Sequence, residues 1–230
     1  MFRSDSSFLG NIPPVVKNLL IINILFWFAS FTLASRINLD YYLGLHYWGA
    51  SMFNPAQMIT YMFLHANFWH LFFNMFGLYM FGRILEQVLG PKRFLFYYFT
   101  TGIGAAIVQQ LMWTIEIHPI IESVNAQLSS GAAADLLAQK NMFLNQFITI
   151  GASGAVFGLL LAFGMLFPDQ PLFLMFIPIP IKAKYFVIGY AVIELVFGVG
   201  NFSFDNVAHF AHLGGMLFGF FVLLYWRKKR

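Results

Sequence analysis

Cysteine is absent from the 230 residues, which removes a disulfide framework, a thiol nucleophile and a thiolate metal site together. Charge is scarce as well. Only 10% of residues are Asp, Glu, Lys or Arg, where a soluble domain carries about 25%. A water-facing surface cannot be built from so few charges. What the chain has instead is apolar bulk: 60% hydrophobic residues and 30 phenylalanines. Lipid is therefore its main solvent. An internal repeat of the kind that marks many transporters is also missing. The formal charge of +4 and pI near 9.3 would suit a nucleic-acid partner, but the placement of the basic residues assigns them another role.

A helix crossing the hydrocarbon core needs roughly 20 mostly apolar residues. Six segments meet or approach this, at about Val15–Ala34, Met58–Gly82, Phe94–Trp113, Ile150–Phe167, Tyr185–Val199 and Val207–Trp226. The predicted fold class is thus an all-α polytopic membrane protein, a six-transmembrane-helix bundle over residues 15–226. A tail of residues 1–14 precedes it and a basic tail of residues 227–230 follows. Pro171–Pro180 is too short to span, is broken by prolines, and reads as a loop dipping into the interface. The first apolar run lacks a small-residue cleavage site and reads as a span, not a signal peptide. With the amino terminus inside, eleven of the 13 basic residues fall at inner ends, and only Arg36 and Lys140 fall outside. Basic residues near span ends stay on the cytoplasmic side. Both termini are accordingly expected in the cytoplasm of, by this reading, a bacterial inner membrane. Two outer loops are long. Residues 35–56, with Tyr41, Tyr42, Tyr47 and Trp48, suit a structured interfacial loop, and residues 114–149 contain a stretch, Ala132–Leu144, suited to a short surface helix.

Polar side chains inside spans are costly and are functional candidates. The second span carries HANFWHLFFN, with His70 and Asn74 four apart on one helix face. The fourth opens with ITIGASGAVFG and the sixth with NVAHFAHLGGMLFG. Ser153 and His212 each lie a few residues below the outer end of an inward-running span, on the order of 8 Å deep at 1.5 Å per residue. Gly154 and Gly158, and Ala211, Gly215 and Gly219, have the four-residue spacing of small residues that lets helices approach closely in lipid. Packed through these faces, Ser153 and His212 come within hydrogen-bond reach, the arrangement of an activated nucleophile and its base. The Ser153 N–H, His70 and Asn74 are the candidate donors to an oxyanion. Taken singly, each residue also fits helix packing, and the histidines also fit proton transport.

These motifs, HANFWHLFFN, GRILEQVLG, GASGAVFG and AHLGG in that order, resemble those of the rhomboid family of intramembrane serine proteases. The resemblance covers the chain from about the first span onward, and the ordered combination is specific where GASG alone is weak. It implies Ser153 as nucleophile and His212 as general base of a Ser–His dyad without a carboxylate, with His70, Asn74 and the Ser153 N–H at the oxyanion. His65, Glu86, Phe157, Gly151, Gly154 and Gly215 are implied as structural support. Among these, His65 would hold the interfacial loop, Glu86 would accept hydrogen bonds that tie loops together, and Phe157 would stack on His212 where some members have tyrosine. The family's Trp–Arg pair in the first outer loop has no clear counterpart here. No cofactor or metal is implied, and the partners are the bilayer and transmembrane protein substrates, not nucleic acid.

The nearest acidic residue to His212 in sequence is Asp205, expected in the outer loop, and Glu194 reads as a packing or hydrogen-bonding residue of the fifth span. His209 and His212 form an HxxH pair that lacks a third metal ligand. A zinc protease of the membrane would need HExxH, and an aspartyl type would need two aspartates within spans. Neither is present. An inactive family relative that binds membrane clients, and a transporter, are the other classes to be tested.

Overall fold

The computed structural model describes residues 12–129, 134–174, 177–200 and 207–229. Most of the expected amino-terminal tail, Asp205 and Arg230 lie outside the described residues. Helix dominates: α1 (Pro14–Leu33), the short α2 (Leu39–Leu43) and α3 (Gln57–Thr60), α4 (Phe68–Gly77), α5 (Arg83–Leu89), α6 (Pro91–Ser129), α7 (Ala134–Leu144), α8 (Ser153–Leu166), α9 (Ala183–Gly200) and α10 (His209–Lys228). Two small antiparallel ribbons complete it, β1 (Leu45–His46) with β2 (Ile148–Thr149), and β3 (Pro171–Leu174) with β4 (Ile177–Lys182). Among the described residues α1, α9 and α10 are long and apolar enough to cross a membrane, and α8 is apolar but shorter. Large apolar side chains on the outside, such as Phe28 and Phe31 of α1 and Ile188 and Val199 of α9, are exposed, while Asn23, Asn74, Glu86, Glu194 and His212 are buried. That inversion suits a helical bundle in lipid.

Three elements differ from the sequence expectation. The second span does not begin at Met58. Residues 57–63 form α3 and a tighter turn, the chain breaks at Leu64, and α4 starts at Phe68 with the Asn67 side chain accepting the His70 N–H at 2.9 Å. Asparagine at this position satisfies a helix-start donor, and it moves His70 into the first turn. A π-turn at Leu78–Gly82 then joins α4 to α5. The third helix does not stop at Trp113, and α6 continues to Ser129 through what the sequence gives as loop. Trp113 and Ile117 stay buried while Ile115 and Ile120 are exposed. Hydropathy falls along this stretch while the helix continues. α7 packs back on α6, with Lys140 Nζ donating to Asn125 Oδ1 at 2.8 Å. Finally, the described residues of Pro171–Pro180, expected as a loop, belong to the two strands of the β3–β4 ribbon, paired from Pro171↔Lys182 inward.

The loop of residues 35–56 is structured around two buried glutamines. Gln57 donates to the carbonyls of Tyr42 and Met52 and accepts from the His46 and Asn54 N–H groups. Gln110 of α6 donates to the His46 carbonyl at 2.6 Å and accepts from the Trp48 N–H at 2.9 Å. At the far end, Glu86 receives the Val15 and Val16 N–H groups at 3.0 and 2.8 Å. The carboxylate thereby caps the start of α1, where first-turn donors have no partner inside the helix.

The centre of the bundle is α10, packed on both α6 and α8. Close approach requires glycine here. A Cβ on Gly215 would overlap the Gly154 carbonyl, and one on Gly214 would fall 2.7 Å from Val108 Cβ. We expect Gly215→Ala to lower stability by about 1–3 kcal/mol through overpacking. Gly189→Ala, with open space around it, should be neutral or stabilising by up to about 1 kcal/mol. Thermal unfolding of the two variants in detergent compares them directly.

Candidate active site

Ser153 is the first residue of α8. The segment before it is fixed on two sides. β2 pairs with β1, Leu45 opposite Thr149 and His46 opposite Ile148. The Gly151 N–H donates to the Tyr61 carbonyl at 2.9 Å, while the Tyr61 hydroxyl donates to the Gly102 carbonyl at 2.7 Å. The helix start is thus held by the α3 turn and by α6. As the leading residue of a helix, Ser153 presents a backbone N–H with no acceptor within α8, at the positive end of the helix dipole.

His212 lies one turn into α10 and is buried. Its Nε2 is 2.8 Å from Ser153 Oγ. Its ring is stacked on Phe157, with centroids 4.2 Å apart and planes 6° from parallel. Phe157 is one turn after Ser153, so one helix supplies both the hydroxyl and the surface that fixes the imidazole plane.

The Nδ1 side of His212 corrects the sequence reading. A carboxylate is present: Glu194 Oε2 of α9 lies 2.8 Å from His212 Nδ1 and 2.7 Å from His209 Nδ1. Glu194 is 18 residues earlier in sequence and on another helix, so linear distance to His212 concealed it. The signal available was the carboxylate itself, alone in an apolar span, followed by an HxxH pair. Glu194, His209 and His212 together offer three metal-ligating atoms within 4.8 Å of one another, and so Glu194 supplies the third group that the pair lacked. Their short contacts are those of hydrogen bonds.

His70 faces Ser153 from the first turn of α4. Its Nδ1 accepts the Ala66 N–H at 3.3 Å, which in the neutral ring puts the proton on Nε2 and makes that nitrogen a donor. A Cβ on Gly151 would lie 2.7 Å from His70 Nε2 and 3.7 Å from Ser153 Oγ, so the ring occupies space that only glycine leaves. Gly151 also has φ +131°, a conformation that disfavours any side chain. Asn74 is one turn below His70 and donates to its carbonyl at 3.0 Å. His65 is buried, with its ring edge-on to His70 at 5.0 Å.

Ser153, His212, His70 and Asn74 line one cavity of about 600 Å³. Its remaining walls are apolar, with Trp69, Phe73 and Phe76 from α4 and Phe186 and Tyr190 from α9. α4 packs on α1 and α8, and α9 on α8 and α10, so the cavity occupies the seam between α4 and α9. Trp69 and Phe73 are also exposed on the outer surface of the bundle.

A membrane-embedded helical bundle with a serine, a histidine and hydrogen-bond donors gathered in one cavity defines a class, and comparison with known proteins supplies the family. Residues 53–229 match the Rhomboid domain. The chain is 30% identical over 212 residues to the chloroplastic Rhomboid-like protein 11 of Arabidopsis thaliana, covering 83% of this chain and 62% of that protein. It is 28% identical over 179 residues to the mitochondrial Rhomboid protein 1 of Saccharomyces cerevisiae, covering 77% of this chain and 44% of that one. A third relative is the putative rhomboid protease YdcA of Bacillus subtilis, 31% identical over 103 residues, 45% of this chain and 37% of that one. The chain spans less than two thirds of the length of each. It belongs to the rhomboid family.

The Gly151 geometry gives a direct expectation. Gly151→Ala forces strained backbone, worth about 1–3 kcal/mol, and drives a methyl group into the His70 ring. Gly90→Ala shares the positive φ but has nothing within 4 Å of the added carbon. The unfolding midpoint should fall further for Gly151→Ala, and the His70 ring resonances should move in that variant alone.

Proposed function

We propose that this chain is an intramembrane serine endopeptidase that cleaves transmembrane segments of other membrane proteins. The observation that carries the reading is the 2.8 Å contact between Ser153 Oγ and His212 Nε2, inside a cavity that reaches the lipid-facing surface. His212 takes the hydroxyl proton on Nε2 as Oγ bonds to the substrate carbonyl carbon. The carbonyl oxygen becomes an oxyanion, stabilised by the Ser153 N–H, the Nε2–H of His70 and the Asn74 amide. On collapse the C–N bond breaks and His212 returns the proton to the leaving amine, leaving an acyl-serine. Water, deprotonated by the same imidazole, then attacks that ester and releases the acid and the free serine.

Substrate reaches the site from lipid, between α4 and α9. A transmembrane helix hides its carbonyls in its own hydrogen bonds, so it must locally unwind, and residues that weaken helix near the cleavage point assist this. The chain crosses a bacterial cell membrane six times, with α4–α5, α6 and α8 joining α1, α9 and α10. Both termini are on the cytoplasmic side. The asymmetry of the basic residues supports that orientation, which opens the site to the outer face.

Two experiments test this. A fluorophosphonate should label the detergent-purified protein at Ser153, with labelling abolished in Ser153→Ala and reduced by about 10³-fold or more in His212→Ala. A single-span substrate should be cut by the wild type and not by Ser153→Ala, with His70→Ala or Asn74→Ala lowering kcat by about 10–10³-fold. An unlabelled wild type with bound but uncut client would favour an inactive relative. The seam has its own check, made convenient by the absence of native cysteine. A bifunctional thiol reagent linking Phe73→Cys to Phe186→Cys should stop cleavage of the membrane substrate, with recovery when the link is reduced.

A further inference from the structure

Glu194 is an acidic side chain in an apolar helix, 6% exposed, and a serine–histidine pair alone gives it nothing to do. A carboxylate in such a place is costly unless donors satisfy it. Here two imidazoles do. His209 and His212 are one turn apart on α10, and both present Nδ1 to the same oxygen, Oε2, at 2.7 and 2.8 Å. On the other side of the His212 ring, Nε2 meets Ser153 Oγ. The four groups therefore form a line: His209, Glu194, His212, Ser153.

We propose that Glu194 is a positioning residue for the hydrolysis, completing a Ser153–His212–Glu194 triad, with His209 holding the carboxylate in place. The inference rests on the protease reading of Ser153 and His212. An ionised carboxylate only accepts, so His212 carries its proton on Nδ1. The neutral ring then has its lone pair on Nε2, where the serine hydroxyl donates. Without an acceptor at Nδ1 the ring divides between two tautomers, and one of them points an N–H at Ser153 and cannot act as base. When Nε2 gains the serine proton, the adjacent carboxylate stabilises the imidazolium. It remains ionised throughout and takes no proton itself. Phe157 fixes the ring plane and Glu194 fixes the rotation and the proton within that plane.

The alternative use of the same atoms is a metal. A divalent ion held by Glu194 Oε2 and the two Nδ1 atoms would occupy the His212 lone pair on that side and force the proton onto Nε2. Metal binding and general-base action by His212 are therefore mutually exclusive at this site, and the test separates them.

Three measurements decide the proposal. In the active wild type, Glu194→Gln should lower kcat by about 10–10³-fold while KM changes less than about threefold and the unfolding midpoint stays near that of the wild type. Glu194→Asp should recover part of the loss. Second, ¹⁵N NMR of histidine-labelled Ser153→Ala protein, which needs no turnover, should find His212 as the Nδ1–H tautomer, with mixed tautomers when Glu194→Gln is added. An Nε2–H tautomer in the presence of Glu194 overturns the proposal, whatever the fate of the protease reading. An unchanged kcat in Glu194→Gln would reduce the carboxylate to a tie between α9 and α10. Activity lost to EDTA and restored by zinc would assign the cluster to a metal instead.

Discussion

Everything at the site depends on two helices approaching closely enough to share one proton. Ser153 and His212 lie on α8 and α10, and the bond between Oγ and Nε2 is 2.8 Å. A pair of ordinary side chains at the crossing would hold these helices apart, since helix axes pack 8–10 Å apart according to the residues between them. Gly154 and Gly215 remove that spacer, backbone against backbone. In lipid there is little hydrophobic drive to associate helices, and close packing of small residues supplies much of the attraction. The contact that stabilises the bundle is therefore the contact that assembles the chemistry.

A second constraint sets where charge can develop. Ser153 begins its helix, so the hydroxyl comes with an unpaired backbone donor and the positive end of a helix dipole. His70 enters from the start of α4, with its tautomer set by the Ala66 N–H, and Gly151 leaves room for its ring. Each of these depends on an irregular piece of backbone: the break before α4, the positive φ at Gly151, the ribbon pinning the start of α8. Irregular backbone is tolerated in a membrane protein where it lines a cavity or is buried in protein: Thr149 and Gly151 line the cavity, and Leu64 at the break before α4 is buried.

These irregular pieces are also where the sequence was least legible. Hydropathy and motif order placed α1, α8, α9 and α10 within a few residues of their observed ends, because long apolar runs bounded by charge carry a strong signal. Spacing brought Ser153 to the level of His212, and the glycines were read correctly as points of approach. The start of α4 was missed because Met58–Phe63 is as apolar as the span that follows, and the turn at Leu64 has no glycine or proline to announce it. The far half of α6 was missed for the opposite reason: the helix outlasts its hydrophobicity. The family resemblance placed Glu86 as an acceptor tying loops together, whereas its partners, the first N–H groups of α1, are some 70 residues away. Glu194 was read as a packing or hydrogen-bonding residue, and it is hydrogen-bonded, but its partners were not legible because the dyad pattern of the resemblance left no place for a carboxylate and only tertiary structure folds α9 back against α10.

That fold-back joins two properties of α9 that are usually separate. At its beginning the helix is well tied: the Ala183 and Lys184 N–H groups bond to the Gln170 and Pro168 carbonyls, and Asp169 pairs with Lys182 and Lys184 at 3.2 and 2.9 Å. Those two lysines hold the exposed Asp169 carboxyl below the usual carboxylate range. Toward the site end the buried positions of α9 reduce to Glu194, with Ala183 and Val187 lying nearer the start. Phe186 and Tyr190, which wall the cavity, sit between. The Phe197 ring also lies against the His209 imidazole, with centroids 5.6 Å apart, and Gly198 faces Phe210. One helix therefore walls the cavity with Phe186 and Tyr190 and, through its packing on α10, brings a carboxylate to His212 Nδ1.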